Sequence, residues 1–163
     1  MTQRTRGRAA PGGRVVAAVP HGRHKNIGTV AALSTRGVVA SAGSDGGTTS
    51  ARSVEFVRGE WVPVPRRGQA LAPDDPAAHN DPRVDEPAGA AGCGVTRLPP
   101  HSPDFNPIEN ATSKVKTALR KLATRTVPAL FDGIAAAPES VTAADARAFT
   151  KHCGYATKRC KPL

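Results

Sequence analysis

Residues 98–109 read LPPHSPDFNPIE, and this stretch marks where the main helix of the chain begins. Asn106 is a preferred N-cap residue, Pro107 suits the first helical position, and Glu109 stands three residues after the cap. Apolar residues then recur at the spacing of one helical face: Ile108, Val115, Leu119 and Leu122. We therefore predict an amphipathic helix with Asn106 as its N-cap.

Several short apolar runs upstream of this helix are bounded by turn residues, as strands usually are. They cover residues 14–20, 27–33, 37–42, 69–72 and 95–98. The first three runs predict an antiparallel meander, with a turn at residues 34–36. A weaker helical pattern covers residues 49–57.

Two further helices are predicted downstream of the main one. The first covers residues 127–137, and the second runs from an N-cap at Thr142 to Cys153, where Gly154 can end it. Strands followed by helices indicate an α/β or α+β domain.

Composition limits the class of protein. The 163 residues suit one domain, and 23 Lys and Arg against 13 Asp and Glu give a net charge of +10, which favours a polyanionic partner. No stretch approaches the ~20 apolar residues of a membrane span, so we expect no membrane association. The three cysteines form no paired framework, which indicates a reducing, cytoplasmic location.

The charge is unevenly distributed along the sequence. Residues 1–25, 110–127 and 147–163 are basic, whereas residues 73–87 are rich in acids and proline. Basic flanks around an acidic centre suit a protein that holds phosphates and keeps carboxylates for a metal. An exposed acidic loop on a basic protein is the alternative explanation.

Residues 98–109 resemble the LPPYSPDLNPIE signature of the DDE transposases of bacterial insertion sequences related to the mariner superfamily. SKVK at 113–116 is similar to the S-K-L-K that follows this signature, and FTKHCGYA at 149–156 is similar to the family's closing helix. RGRA at 6–9 and VPHG at 19–22 resemble segments on its early strands. The resemblance thus touches nearly the whole chain.

This resemblance implies a ribonuclease H-like α/β fold, with a mixed sheet, flanking helices and three carboxylates around two divalent metals. The metals would be Mg²⁺ or Mn²⁺, because hard cations prefer carboxylate oxygens. Glu109 occupies the position of the family's final carboxylate. A Glu three residues after an N-cap is also the residue that completes a capping box, and the two roles are compatible.

The resemblance places the second carboxylate at Asp74. It follows a short apolar run. The number of residues between it and Glu109 is 34, which is the family spacing. Asp75 replaces the usual Asn, and Pro73 removes a backbone donor from the predicted strand.

The family's first catalytic Asp has no counterpart, because no acid precedes Asp45. We therefore expect residues 1–163 to be a single partial DDE endonuclease domain that lacks its first strand. We also expect the helix-turn-helix DNA-binding region of full-length relatives to be absent.

Basic residues on the main helix are candidate contacts to DNA phosphates, although a solvated helix face is an equally good explanation. They are Lys114, Lys116, Arg120 and Lys121.

Three functions are compatible with these residues. The first is an active or once-active transposase domain that cleaves DNA strands and then transfers them. The second is a non-catalytic DNA-binding or assembly fragment that competes with intact transposase for DNA or for its dimer interface. The third is a non-functional remnant. The expected partners are DNA and either a second copy, in a homodimer, or intact transposase. Loss of one of three metal ligands predicts weak or absent activity.

Overall fold

A β-hairpin begins the larger part of the fold in the computed structural model, which describes residues 7–16, 27–73, 81–99, 101–124 and 126–155. Strand β1 (Ile27–Ser34) pairs antiparallel with β2 (Gly37–Asp45), and a register shift follows Ala32. The two strands and their turn confirm the prediction from residues 27–42.

The strand predicted over residues 14–20 is wrong where the structure describes it. Residues 14–16 belong to no strand, and Val16 is 85% exposed. The run has high β-propensity, but propensity forms a strand only where a neighbouring strand and a buried face support it. Residues 17–20 lie outside the described residues, and the three-stranded meander reduces to the hairpin within the described part.

The segment after the hairpin forms a helix that supplies half of the residues of one apolar core cluster. Helix α1 (Ser50–Phe56) begins after the N-cap Thr49 and continues into a π-helical turn (Val57–Trp61). Side chains from both parts are buried together with residues of later elements. This core cluster consists of Ala32, Val54, Phe56, Val57, Trp61, Val84, Ala88 and Cys93.

A second, very short sheet lies against the same core. Strand β3 (Ala70–Leu71) pairs in parallel with β4 (Gly94–Val95), which confirms short strands at both predicted places. The connection between them includes a 3₁₀ turn (Pro82–Val84) and helix α2 (Asp85–Ala90). Parallel strands require such a crossover.

Three longer helices complete the described chain and confirm the predictions for the C-terminal third. Helix α3 covers Pro107–Leu122, α4 covers Val127–Ala136, and α5 covers Ala143–His152, with a 3₁₀ turn (Ala137–Ser140) before α5. Gly154 has a φ of +85°, in the left-handed region expected of a residue that ends a helix.

The C-terminal helices pack against the hairpin. A Cβ at Gly43 of β2 would lie 3.4 Å from the Phe131 ring of α4, and one at Gly37 would lie 2.9 Å from the Val141 carbonyl oxygen. The described residues therefore form a mixed α/β structure with two small sheets and several helices.

Candidate functional site

The turn that leads into α3 is built from the proline-rich stretch itself. Pro103–Phe105 form one 3₁₀ turn, and Asn106 follows as the N-cap of α3. The Asn106 side chain is buried in this turn, and its oxygen accepts a hydrogen bond of 3.3 Å from the Ile108 amide. Pro107 fills the first helical position, where its missing N–H costs nothing.

Glu109 lies in the first turn of α3 and is exposed to solvent. The capping box considered for it is wrong, because the Asn106 amide already donates to the Pro103 carbonyl at 2.9 Å. That amide is occupied because the preceding residues close a 3₁₀ turn. Within the described part of the chain, the Glu109 carboxylate makes no hydrogen bond or ion pair, so its oxygens are available to a ligand. Its negative charge is favourable at the positive end of the helix dipole.

Of the four basic residues predicted to contact phosphate, Lys114 is the one that has an acidic partner among the described residues. Its Nζ donates to Oδ2 of Asp145 on α5 at 2.6 Å. Its side chain is still 39% exposed, so the ion pair is at the surface.

The other three residues, Lys116, Arg120 and Lys121, are exposed along α3. Within the described residues they have no acidic partner at ion-pair distance. They line the same helix as Glu109, further toward its C-terminus, and we refer to them as the α3 cations. Lys and Arg near a helix C-terminus also interact favourably with the dipole.

Asp145 connects α3 with α5. It accepts from Lys114, from the Thr142 hydroxyl and, at 2.9 Å, from the Thr142 amide, which completes the capping box of α5. These hydrogen bonds lower the pKa of the Asp145 carboxyl to about 2, and the bond from Lys114 has the largest effect. The carboxylate therefore stays ionised through nearly the whole acid range.

The end of α5 reaches the turn that precedes Glu109. The Tyr155 hydroxyl donates to the Phe105 carbonyl oxygen at 2.7 Å, across 50 positions of sequence. Next to it, Cys153 is buried, and burial, together with the negative charge of Asp104, raises the pKa of its thiol. The 3₁₀ turn at Pro103–Phe105 is thus held by a residue that follows α5.

The second predicted carboxylate, Asp74, lies outside the described residues. Strand β3 ends at Leu71, three positions before it in the sequence. Among the ranges that the structure describes, no three His, Cys, Asp or Glu side chains gather in a way that could hold a metal ion. Glu109 suits one ligand position, and the described part alone does not supply a complete metal site.

Sequence reasoning missed the two residues that hold the Glu109 helix from α5. For Asp145 the local signal was present, since Thr142 followed three residues later by an acid is typical of a capping box. Its bond to Lys114 had no local signal. Tyr155 was noticed only as part of a resemblance, although it is the single tyrosine of the chain and follows a helix-ending glycine.

Comparison with known proteins shows the family. Residues 1–130 match the model of a family described as DDE superfamily endonuclease, which spans most of the 163-residue chain. The chain belongs to this family and carries a DDE-type, transposase-like domain. DDE nucleases act on DNA and generally use divalent metal ions.

A search of curated proteins found no match. In the portion of the chain that is described, no helix is both long enough and apolar enough to cross a membrane.

Proposed function

We propose that this chain is the catalytic region of a transposase from a bacterial insertion sequence related to the mariner superfamily. In this proposal the domain is ribonuclease H-like and spans residues 1–163, and it cleaves DNA strands at the ends of a mobile element. Glu109 and Asp74 are its metal ligands, and the metal is Mg²⁺ or Mn²⁺. The proposal places the protein in the cytoplasm, bound to DNA as a homodimer or together with intact transposase.

The observation that carries this proposal is the state of Glu109. Its carboxylate is exposed and free of protein partners within the described residues, while the Ile108 and Glu109 amides of the same helix start are hydrogen-bonded to Asn106. A capping box does not account for this carboxylate, because the N-cap amide donates to the Pro103 carbonyl instead. The Glu109 carboxylate is therefore available to a ligand outside the protein.

Divalent metals would supply activation of a water or a DNA 3′-hydroxyl and stabilisation of the leaving oxygen. The chain's own contribution is to hold Glu109 at a fixed place on a rigid helix start. The α3 cations lie on the same helix, where they can hold a DNA phosphate backbone beside the carboxylate.

We further propose that this polypeptide is weakly active or inactive by itself. Residues 1–44 hold no Asp or Glu, so the proposal assigns only Asp74 and Glu109 as metal ligands among residues 1–163. Deletion of one essential member of a catalytic unit typically costs several powers of ten in rate.

The test uses the full chain with a labelled DNA duplex, in MgCl₂, in MnCl₂ and in EDTA. We expect weak, metal-dependent nicking that Glu109→Gln abolishes, and broadening of the Glu109 amide NMR signal when MnCl₂ is added. Nicking that persists in Glu109→Gln would contradict the assignment of Glu109. So would the combined absence of nicking and of Mn²⁺ broadening.

A non-catalytic DNA-binding role is the second candidate, and the α3 cations favour it. DNA affinity through these three residues needs no metal, so it should be present in EDTA and fall steeply with salt. A gel shift in EDTA across a salt series measures it. Affinity without any metal-dependent cleavage would favour this role.

A further inference from the structure

The C-terminal end of α5 makes a directional contact with the turn before Glu109. Gly154, in the left-handed conformation, ends α5, and the Tyr155 amide donates back to the Thr150 carbonyl at 3.1 Å. This backbone arrangement fixes where the Tyr155 ring leaves the helix. Its hydroxyl then reaches the Phe105 carbonyl at 2.7 Å.

The Phe105 carbonyl belongs to the peptide that joins the 3₁₀ turn to the N-cap Asn106. Asn106 is only 6% exposed and bonds forward to Ile108 through its side chain. The Glu109 amide bonds back to the Asn106 carbonyl at 3.2 Å. A constraint on the 105–106 peptide is therefore passed through hydrogen bonds to the residue that carries the free carboxylate.

A second contact from α5 holds the same helix on the other side of Glu109. Lys114 lies five positions after Glu109, and its ammonium is bound by Asp145 at the start of α5. The two ends of α5 thus hold the turn before Glu109, at Phe105, and α3 after Glu109, at Lys114. Both contacts are at the surface, since Tyr155 is 40% and Lys114 39% exposed. These contacts therefore orient the turn and α3, and they bury little surface.

We propose that Tyr155 and Asp145 are positioning residues for Glu109. Through these two residues, α5 fixes the direction of the Glu109 carboxylate. This rests on the proposed role of Glu109 as a metal ligand. Misplacement of a catalytic group by about 1 Å can cost two orders of magnitude in rate. Contacts that fix the position of Glu109 would therefore preserve the rate of the proposed reaction.

The first test is hydrogen–deuterium exchange of the full chain without metal or DNA. Tyr155→Phe removes only the hydroxyl. Thr150→Val is its matched control, because within the described ranges the Thr150 hydroxyl bonds to Ala146 of its own helix and to no other residue. We expect Tyr155→Phe to speed exchange in residues 103–109 about fivefold, the effect of one lost hydrogen bond. Thr150→Val should leave that segment unchanged.

The second variant pair tests the other contact. Lys114→Met breaks the bond to Asp145 and leaves the capping box of α5 intact. Lys116→Met is its control, because Lys116 is exposed and has no acidic partner in the part of the chain that the structure describes. We expect hydrogen–deuterium exchange in α3 to be faster than in wild type for Lys114→Met and unchanged for Lys116→Met. Equal exchange in residues 103–109 for Tyr155→Phe and wild type would overturn the proposal, as would an equal rise at all protected amides.

The third measurement separates this proposal from the proposed function. The midpoint of MnCl₂ broadening at the Glu109 amide should move to several-fold higher concentration in Tyr155→Phe and stay in place in Thr150→Val. A merely structural contact would leave this midpoint unchanged, and that result would overturn the positioning role. Absence of broadening in wild type, with the exchange difference intact, would overturn the metal-ligand role and leave only the contact to the turn.

Discussion

Lys114 on α3 and Asp145 on α5 meet with 2.6 Å between Nζ and Oδ2, although 31 positions separate them in the sequence. The same carboxylate closes the capping box of α5 through Thr142. Asp145 therefore caps the start of α5 and also joins α5 to α3. This dual use divides the basic residues of α3 into one with a structural partner and three that face solvent.

Acid pH should weaken the fold through carboxylates of this kind. The pKa of Asp145 is lowered to about 2 chiefly by Lys114, and that of Asp81 to about 2 by Arg83, from an ordinary value of 3.8. A carboxyl whose pKa is lower in the folded state stabilises the fold above its unfolded pKa. We expect urea midpoints to be steady above about pH 4 and to fall as the pH drops toward 2.

Asp145→Asn is the variant that isolates this effect. It should be less stable than wild type at neutral pH and should lose less on acidification between pH 4 and pH 2. Glu109→Gln, whose carboxylate has no partner in the described part, is the control and should keep the wild-type acid dependence. An Asp145→Asn variant with the full wild-type loss would contradict the assignment.

Glu109→Gln should separate function from stability. The side chain is exposed and without a protein partner among the described residues, so its free energy of unfolding should change by no more than about 0.5 kcal/mol. Mn²⁺ broadening and metal-dependent nicking should both disappear. A large loss of stability, measured by urea unfolding, would show that this carboxylate has a structural role instead.

The α3 cations should determine DNA affinity. Neutralising any one of them, as in Lys116→Gln, Arg120→Gln or Lys121→Gln, should weaken binding at every DNA sequence and reduce the salt slope by about 1. Fluorescence anisotropy across a salt series measures both quantities.

Lys114→Met is the matched comparison for these variants. Because its ammonium is already bound by Asp145, it should alter stability more than DNA affinity. The reverse ranking would place the DNA contact at Lys114.

The hairpin turn offers a test of the packing between β2 and α5. Gly37 has a φ of +121°, and a Cβ there would lie 2.9 Å from the Val141 carbonyl oxygen. Gly37→Ala should cost about 1–3 kcal/mol, because the side chain is strained and the backbone it meets cannot move away easily. Gly47→Ala, with no atom within 4 Å, should change stability little in the same chemical unfolding experiment.

Local signals in the sequence predicted most of the described elements. Asn106 and Thr142 mark helix starts because their side chains accept hydrogen bonds from free backbone amides, and Pro107 marks one because it needs no N–H partner at the first helical position. The hairpin followed from two short apolar runs separated by a turn. Such features depend on neighbours within a few residues, so they can be recognised without the fold.

The errors and omissions concern contacts between distant parts of the chain. Val15 and Val16 have high β-propensity, but the described structure gives them no strand partner. The amide expected to bond Glu109 donates to the Pro103 carbonyl, because residues 103–105 form a 3₁₀ turn. The contacts of Tyr155 with Phe105 and of Asp145 with Lys114 depend on how α5 packs. No local pattern could have predicted these two contacts.

The two small sheets have a mechanical consequence for the proposed site. Strands β1–β2 and β3–β4 share apolar packing around Trp61 and Val84, but in the described residues no backbone ladder joins one pair to the other. Helix α3, which carries Glu109, packs against β1, whereas β3 leads toward Asp74 in the sequence. Apolar packing is non-directional, so it does not by itself fix the register of one sheet against the other in the described residues. The volume of the buried side chains between the two sheets would then help to set how Glu109 and β3 align.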